Sequence, residues 1–401
     1  MVIDPNAGCH APEARRRDGG FALPAVVLVL LVGSILAVFS LRTGRDELHA
    51  AAATLGSARA FYAAEAGLGE VIAEFDSLMY DTLMPVPGDS IRLPWTTIEN
   101  GAKYQAWVRR IDGGFPTRYF TLGVTALGRP GLGGRRTVFA DLRTDNADIC
   151  CRAAVTGGLG GRDARFDEEG LGGVTVTGLD EHPAGWDHVC PDPLDHKPGV
   201  LWKDTGLVEV RDGAVATGNP GVAEDPAINH SELFDWGWLD YDDLVAMADQ
   251  TWADGSDISG GIYPRESGVT CDKSFKKNWG APESPGHPCF DYFPIIHAKG
   301  DLRIRDGVGI GQGILLVDGE LRIEDSFTFY GIIITASVDP RRTRFEDHVT
   351  IYGGLIAGEE VRVEDGAEVR LSQCAADRAL AGNRLFKIQP LSRRAWRQGW
   401  R

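Results

Sequence analysis

The sequence predicts a mainly β protein with one long N-terminal α-helix, followed by an antiparallel β meander and then a parallel β-helix, or solenoid. Three patterns support this fold class. A membrane-length apolar run continues into an alanine-rich helical segment, three β-rich segments follow with glycine and proline turns between them, and a short motif recurs about every 20 residues in the C-terminal half. The 401 residues suffice for two or three domains.

The run from Phe21 to Leu41 contains 21 residues without a charge. As a helix it would be roughly 30 Å long, which is the thickness of a bilayer core. Secretory signal peptides have shorter apolar regions with a small-residue cleavage site just after them, whereas Arg42, Arg45 and Asp46 follow here. We therefore expect a single-pass membrane anchor. The arginines at 15–17 place the N-terminus in the cytoplasm, so the rest of the chain is exported.

The helical pattern continues beyond the anchor. From Glu47 to about Met79 the sequence is alanine-rich and carries an apolar stripe, and Pro85 then ends it. Residues 21–84 thus form one predicted helix of about 60 residues and roughly 90 Å, far longer than a bilayer requires. Gly33-Ser34 is its one internal weak point.

Residues 85–146 are predicted to form an antiparallel headgroup. Three segments are rich in β-branched and aromatic residues and are separated by the turn sequences DGGFP and GRPGLGG: Lys103–Ile111, Arg118–Leu127 and Arg135–Thr144. A meander of this kind needs a cover for its apolar face. The C-terminal half of the long helix is the candidate for that cover.

A repeat defines the predicted solenoid at residues 147–380. The motifs LRIRD, LRIED, TRFED and VRVED recur at intervals of 19, 22 and 18 residues, and their arginines are Arg303, Arg322, Arg344 and Arg362. A second register aligns Gly313, Gly331 and Gly354, and ARFDE at 164–168 and VEVRDG at 208–213 follow the first pattern more loosely. Such periods indicate the rungs of a right-handed parallel β-helix. We expect an irregular insertion at about 180–292 to interrupt it, with one helix at Leu239–Asp249.

The charged positions of the repeat have two interpretations. In polysaccharide lyases and hydrolases with a parallel β-helix, surface acids on successive rungs bind calcium or act on sugar. Ladder charges more often solvate the face and pair across rungs, each pair contributing less than about 1 kcal/mol. The pattern favours the second, structural interpretation.

The net charge of the chain and the charge of its C-terminal segment indicate which partners are expected. A formal net charge of −16 repels phosphate backbones, so no nucleic acid partner is expected for the body of the protein. Residues 381–401 form a basic tail that is expected to be solvated or locally docked.

Six cysteines follow the apolar run, and an even number on the exported side predicts disulfides. Neighbours Cys150 and Cys151 are expected to pair elsewhere, because a bridge between adjacent residues is strained.

Familiar catalytic motifs do not occur in the sequence: GxxxxGK[ST], GxSxG and HExxH are all missing. His182, His188, Cys190 and His196 could together provide zinc ligands, but their spacing matches no common zinc module. We therefore predict no catalytic residue, no cofactor and no metal site.

Two motifs resemble those of a known family. Gly20-Phe21 followed by an apolar helix resembles the prepilin-peptidase site of type IV pilins and type II secretion pseudopilins. AFYAAEAGLGEVIAEF, at Ala60–Phe75, resembles the signature of PilX-type pilus-assembly proteins. The resemblance implies a leader at 1–20 that is cleaved after Gly20, a methylated Phe21 and assembly through the helix. Ala25 stands where most pilins carry a glutamate, which implies a minor or tip subunit.

This resemblance and the anchor together predict a non-enzymatic, pilin-like minor subunit of a type IV pilus or a related secretion filament. The expected partners are a prepilin peptidase, other pilins or pseudopilins, membrane lipid around residues 21–41 and an assembly motor platform. The protein would first span the inner membrane once and then reach the pilus or cell surface, where the solenoid contacts a partner or a surface. The alternative is a membrane-anchored extracytoplasmic β-helix enzyme or binder that acts on polysaccharide.

Overall fold

The computed structural model describes residues 22–391 and 397–399, apart from gaps at 77–78, 81–82, 85, 100, 115–116, 129–133, 169–171, 191–195, 306, 308 and 338–340. It has one long helix, one antiparallel sheet and two large parallel sheets. The predicted fold class is therefore confirmed.

The helices and strands follow in chain order. The helices are α1 Ala22–Ala73, α2 His230–Phe234, α3 Tyr241–Ala246 and α4 Gln373–Gly382. The strands are β1 Ser90–Arg92, β2 Thr96–Thr97, β3 Lys103–Gly114, β4 Thr117–Leu127, β5 Arg135–Asn146, β6 Val155–Gly157, β7 Ala164–Asp167, β8 Thr175–Thr177, β9 Val200–Trp202, β10 Val208–Arg211, β11 Val215–Thr217, β12 Val222–Glu224, β13 Gln250–Trp252, β14 Ser256–Ser259, β15 Glu266–Ser267, β16 Thr270–Cys271, β17 Ile295–Ala298, β18 Leu302–Arg305, β19 Gly309–Val317, β20 Leu321–Ile323, β21 Phe327–Thr335, β22 Arg342–Phe345, β23 Thr350–Ala357, β24 Glu360–Glu364, β25 Glu368–Leu371, β26 Phe386–Pro390 and β27 Arg397–Gly399.

Helix α1 is continuous from Ala22 to Ala73 and passes through Gly33, the predicted weak point. Bonds of the helical i→i−4 type recur further on, since the Tyr80 amide donates to the Asp76 carbonyl (3.1 Å) and the Met84 amide to the Tyr80 carbonyl (2.9 Å). The regular helix therefore ends before the predicted boundary at 84, and helical turns follow it.

The headgroup sheet is antiparallel, in the order β1-β3-β4-β5-β26, with β2 beside β3 and β27 beside β5. The three predicted strands are β3, β4 and β5, and β4 pairs with both neighbours along its length. The inward side chains form one core with the C-terminal half of α1, which includes Leu68, Phe75, Val108, Phe120, Leu122 and Val124. That half of the helix is the cover that the meander requires.

Residues from the C-terminus complete this sheet. Phe386 of β26 lies opposite Asn146 of β5, and the Ala147 amide donates to the Leu385 carbonyl at 2.8 Å. The solenoid is thus inserted between two neighbouring strands of the headgroup, and both of its connections leave the sheet at the same point. The segment 381–401, predicted as a basic tail, contributes the end of α4 and strands β26 and β27. Its residues 392–396 and 400–401 lie outside the described residues.

Two parallel sheets form the walls of the solenoid. One has the order β10-β7-β24-β22-β20-β18-β14. The arginines of the repeat lie in register on its adjacent strands: Arg303, Arg322, Arg344 and Arg362, continued by Arg165. The residues after them, such as Ile323 and Phe345, point inward and are fully buried. The repeat of about 20 residues is therefore one rung of the solenoid, as predicted.

The rungs do not stack in chain order. Strand β6 pairs with both β23 and β9, and β7 and β8 pair with β24 and β25. The rungs of residues 155–224 therefore stack on the last rung of the chain, 350–371. Strands β13 and β14 lie at the opposite end. Which edges meet depends on their three-dimensional fit, and chain order does not reveal it.

Part of the predicted insertion at about 180–292 belongs to the solenoid. Strands β9, β10 and β11 pair with β6, β7 and β8, and β13 and β14 pair with β17 and β18. Strand β10 lies in the VEVRDG motif that follows the repeat loosely, whereas β9 and β13 have only three residues each, which is too short for a periodic pattern to be recognised. Helix α3 lies within the predicted helix Leu239–Asp249, whereas the sequence pattern does not predict α4.

The glycines of the second register align at Gly313, Gly331 and Gly353, so the alignment at Gly354 is wrong by one residue. The three aligned glycines have φ values of 121°, 138° and 141°. A Cβ at each would collide with a carbonyl oxygen of the preceding rung, at Pro294, Gly313 and Gly331 respectively. These rungs therefore require glycine at one bend of the wall.

The six cysteines after the apolar run form three disulfides: Cys150–Cys151, Cys190–Cys374 and Cys271–Cys289. The expectation that Cys150 and Cys151 pair elsewhere is wrong. Their sulfurs lie against Gly354, where a Cβ would come within 2.5 Å of one sulfur and 2.8 Å of the other. The missing side chain at Gly354 makes room for the adjacent pair, and the other four cysteines pair among themselves.

Candidate assembly helix and acidic cleft

The N-terminal half of α1 presents an exposed apolar surface. Its large apolar side chains range from 47% exposed at Val32 to 78% at Leu23. By length and composition, α1 is the one helix in the described part of the chain that could cross a membrane. An apolar surface of this extent is unfavourable in water and marks a site for lipid or protein. The helix can therefore act as a membrane anchor.

Two hydroxyl groups of this half bond within the helix. Ser34 donates to the Leu30 carbonyl at 2.7 Å and Thr43 to the Phe39 carbonyl at 2.9 Å. Such back-bonding satisfies hydroxyls where water is missing. These two side chains are therefore compatible with lipid.

The predicted processing residues lie outside the described residues. These are Gly20 and Phe21, together with the arginines at 15–17. Cleavage after Gly20 and methylation of Phe21 therefore stay predictions. Ala25 is exposed on the first turn of the described helix.

The motif Ala60–Phe75 fixes the helix to the sheet. Ala60 and Leu68 are fully buried. A Cβ at Gly67 would lie only 2.6 Å from the ring of Tyr104. The small residues of the motif thus permit the close approach of α1 to β3. The helix consequently has two parts, an exposed apolar part and a part packed on the headgroup.

A buried polar contact joins the headgroup to the solenoid. The guanidinium of Arg118 on β4 donates to both carboxylate oxygens of Asp377 on α4, at 3.3 Å for Nη1 and Oδ1. The Asn146 side-chain amide donates to the same carboxylate. Arg118 and Asp377 are each 4% exposed. A bidentate, buried pair of this kind has a defined geometry, so it fixes the two parts relative to one another.

The arginine ladder is a network of ion pairs between rungs. Arg322 pairs with Glu324 on its own rung and with Glu346 on the next at 3.1 Å. Arg344 pairs in the same way with Glu346 and with Glu364, the latter at 2.6 Å. All three glutamates are largely buried. Their carboxylates face guanidinium groups rather than solvent, which agrees with the structural interpretation of the ladder.

A cleft that the sequence pattern does not reveal lies beside α2 and α3. It has a volume of about 510 Å³ and is lined by His230, Phe234 and Tyr241 together with four carboxylates: Asp235, Asp240, Asp242 and Asp318. Most of its residues lie within 230–242, on the two short helices and their caps, whereas Asp318 is distant in the sequence. No motif could have identified them, because the fold alone brings Asp318 to the two short helices.

Asp318 is the centre of the hydrogen bonds at this cleft. The Tyr241 hydroxyl donates to Oδ1 at 2.8 Å, and Nε2 of the buried His297 lies 2.9 Å from Oδ2. Burial and the Asp318 carboxylate raise the pKa of the Tyr241 phenol above its usual value, so Tyr241 remains a donor. Carboxylates beside aromatic rings suit a cationic or a hydroxyl-rich molecule.

A second carboxyl group, Glu359, is fully buried in the turn between β23 and β24. The Thr343 hydroxyl donates to its Oε1 at 2.7 Å. Burial raises the pKa of Glu359 to about 8, although the Thr343 hydrogen bond opposes this shift. Glu359 is therefore protonated at neutral pH.

This buried acid predicts a pH dependence of stability. The folded pKa lies above the unfolded value, so the free energy of unfolding should fall as the pH rises from about 4.5 to about 8 and should then level off. The decline is on the order of 4 kcal/mol. Glu359→Gln should remove most of this slope, because an amide does not titrate. Urea unfolding at pH 5, 7 and 9 measures it, and the partly exposed neighbour provides the control Glu360→Gln; equal slopes in all three proteins would contradict the assignment.

Three of the four residues that could provide zinc ligands have other contacts, and the fourth, His196, is exposed. The Cys190 sulfur is bonded to Cys374. The His182 ring lies 3.8 Å from the Asp187 carboxylate, and the His188 ring stacks near Phe290. Among the described residues there is no group of three or more His, Cys, Asp and Glu side chains with metal-binding geometry.

No protein-family model matches the chain. A stretch of 65 residues, 16% of the chain, is 37% identical to a dITP/XTP pyrophosphatase of Nocardia farcinica (strain IFM 10152). The match spans only 27% of that protein.

One solved structure aligns with most of the chain. The crystal structure of the competence-associated pilin ComZ from Thermus thermophilus aligns over 86% of this chain and 97% of its own, with 12% identity and a TM-score of 0.27. A TM-score of this size does not establish a shared fold.

Proposed function

We propose that the protein is a pilin-like minor subunit of a type IV pilus or a related secretion filament, assembled through α1. The observation that carries the proposal is the division of this helix. Its N-terminal half is apolar and exposed, while its C-terminal half is packed on an antiparallel sheet. A membrane anchor alone would not require a helix of 52 residues, because about 20 apolar residues are enough to span a bilayer.

The exposed half can use two apolar environments in turn. In the membrane its side chains between Leu23 and Leu41 are covered by lipid. After cleavage behind Gly20, the same surface would pack against the helices of neighbouring subunits, where it again avoids water. The packed half keeps the headgroup fixed while the exposed half changes its neighbours. An assembly motor platform outside this chain would supply the energy.

Ala25 bears on the position of the subunit in the filament. A carboxylate at this depth needs a counter-charge in an apolar core, and in most pilins the N-terminal amine of a neighbour supplies it. Ala25 has no charge to pair, so the subunit does not need such a neighbour. This favours a minor or tip position.

The solenoid is then the part that faces outward, in a non-enzymatic role. The buried ion pairs of the ladder stabilise its wall, and the Arg118–Asp377 contact holds it to the headgroup. A surface presented in a fixed orientation suits contact with a partner or a solid surface.

The decisive measurement is the intact mass of the membrane-extracted protein from cells that contain a prepilin peptidase. We expect loss of residues 1–20 and one added methyl group on Phe21. Gly20→Leu should retain the leader, because a bulky residue replaces the small one before the scissile bond. Gly19→Leu is the matched control and should be processed. A wild-type protein that keeps its leader and still functions would overturn the proposal.

The acidic cleft supports a second candidate function, a membrane-anchored enzyme or binder of extracellular polysaccharide. Its four carboxylates and the Tyr241 hydroxyl could contact sugar hydroxyl groups. This candidate predicts an uncleaved N-terminus and a glycan affinity that Asp318→Asn abolishes. Unchanged binding to a glycan array by Asp318→Asn, or no binding at all by the wild type, would exclude it.

A further inference from the structure

The two ends of the solenoid differ in how they are covered. At the end formed by β13 and β14, the inward residue Ile258 is 2% exposed. The segment 260–292 packs against both terminal strands of this end: the Lys276 ammonium lies 4.7 Å from the centre of the Trp252 ring on β13, and the Lys277 ammonium donates to the Ser259 carbonyl on β14 at 2.6 Å. The segment also contains the fully buried Trp279 and the disulfide Cys271–Cys289. A closed end of this kind protects the terminal strands of a repeat protein from association.

The opposite end is open. Strand β10 has one partner, β7, in the described part of the chain, and β11 likewise pairs only with β8 there. Val210 follows Val363 and Phe166 in the same inward ladder. Those two residues are 0% and 1% exposed, but Val210 is 38% exposed. A position that is core in every other rung is therefore accessible at this end.

An open edge with exposed core positions is a template for strand addition. Unpaired backbone groups of β10 can accept another strand, and the Val208 and Val210 side chains can be buried by it. The folded chain has no strand that could continue the stack at this point among its described residues. A strand from a second molecule could complete the stack at this point.

The sequence of β10 favours an identical strand in antiparallel orientation. In Val208-Glu209-Val210-Arg211, valines point inward and the charged residues outward. Suppose that two copies pair around a two-fold axis that passes beside Val210. Each Glu209 then lies opposite Arg211 of the other copy, and the two copies of Val210 lie opposite one another. Opposite charges facing one another stabilise an antiparallel pair. Within one chain Oε1 of Glu209 already lies 2.8 Å from Nη2 of Arg211. The two carboxylates and two guanidinium groups of the dimer would therefore form one network.

The closed end removes the main alternative arrangement. Head-to-tail stacking would require the open end to meet the end formed by β13 and β14, which the segment 260–292 covers. A contact between two open ends is isologous and closes after two copies. We propose that this protein forms an end-to-end dimer through the solenoid, in which β10 pairs with β10 of a second copy.

This inference does not rest on the pilin-like function. It concerns an end of the solenoid that α1 does not form, and it would hold equally for an anchored binder.

Site-specific cross-linking of the full chain in detergent tests the dimer. Residues opposite each other in an antiparallel pair have Cα atoms about 4.5–5.5 Å apart, within the range of a disulfide. Val210→Cys should therefore form a 210–210 cross-link under mild oxidation, identified by mass spectrometry of peptides. Val269→Cys is the matched control, because Val269 is 90% exposed and lies between β15 and β16, away from β10 in the sequence. We expect at least tenfold more cross-linked dimer from Val210→Cys, and equal yields would overturn the proposal.

A charge exchange provides a second measurement that does not depend on cysteine. Glu209→Arg and Arg211→Glu should each weaken dimerisation at least tenfold in sedimentation equilibrium, because like charges then face each other. The double variant should restore most of the affinity. Circular dichroism confirms that each variant is folded. A double variant that dimerises no better than the single variants, or a wild type that does not dimerise, would overturn the proposal.

Discussion

Asp377→Ala is expected to lower the free energy of unfolding by about 3–5 kcal/mol. The substitution removes the carboxylate to which the buried guanidinium of Arg118 and the amide of Asn146 donate. A buried guanidinium that loses its counter-charge bears a large desolvation cost, which the remaining contacts offset only in part. The loss should appear in urea unfolding and in faster proteolysis at the two connections near residues 147 and 385.

Two further variants separate charge from packing at this junction. Arg118→Leu with Asp377→Leu should recover at least half of the loss, because neither charge then stays buried. Arg143→Ala removes an ion pair whose arginine side chain is 42% exposed, so solvent screens the interaction and the free energy of unfolding should change far less than for Asp377→Ala. If Asp377→Ala were no more destabilising than Arg143→Ala, the junction would not depend on the buried pair.

Gly331→Ala is expected to destabilise the solenoid by roughly 3 kcal/mol or more. Gly331 has a φ of 138°, a region that alanine strongly disfavours. The added Cβ would also collide with the Gly313 carbonyl oxygen of the preceding rung. The rungs cannot separate to relieve this contact, because hydrogen bonds join them on both sides of Gly331.

The matched control for this variant is Gly173→Ala. Gly173 lies in the same solenoid, and a Cβ there meets nothing within 4 Å. Its substitution should change the free energy of unfolding by less than about 1 kcal/mol. Thermal unfolding followed by circular dichroism compares the two, and similar midpoints would show that the glycine register is not a structural requirement.

The solenoid could be predicted from the sequence because its repeat has two features that recur together. Each rung places an arginine between two inward, buried residues, and the intervals of 19, 22 and 18 residues are close to one turn of a solenoid. Gly354 misled the second register because it adjoins the correct glycine, Gly353. Two neighbouring glycines are equivalent in a pattern, and only the collision of a Cβ with the rung before it separates them.

Short strands and distant partners could not be predicted. Strands β9 and β11 each contain three residues, fewer than a period-two pattern needs, whereas β10 lies in the VEVRDG motif that follows the repeat loosely. The acidic cleft combines residues from 230–242 with Asp318. Arg118 and Asp377 are in contact although 259 residues separate them in the sequence. None of these pairs has a local signature.

By itself the sequence determined the properties that depend on neighbours along the chain. These are the apolar run and its continuation as a helix, the strands of the headgroup and the period of the solenoid. Such features follow from local propensity and from the alternation of apolar and polar side chains. Only the tertiary structure decided how the rungs stack out of chain order, how β26 closes the sheet beside β5, and which cysteines pair. These features depend on how strand edges that are distant in the sequence fit together and on the space left where a residue such as Gly354 has no side chain. Neither property can be deduced from a short segment of the sequence.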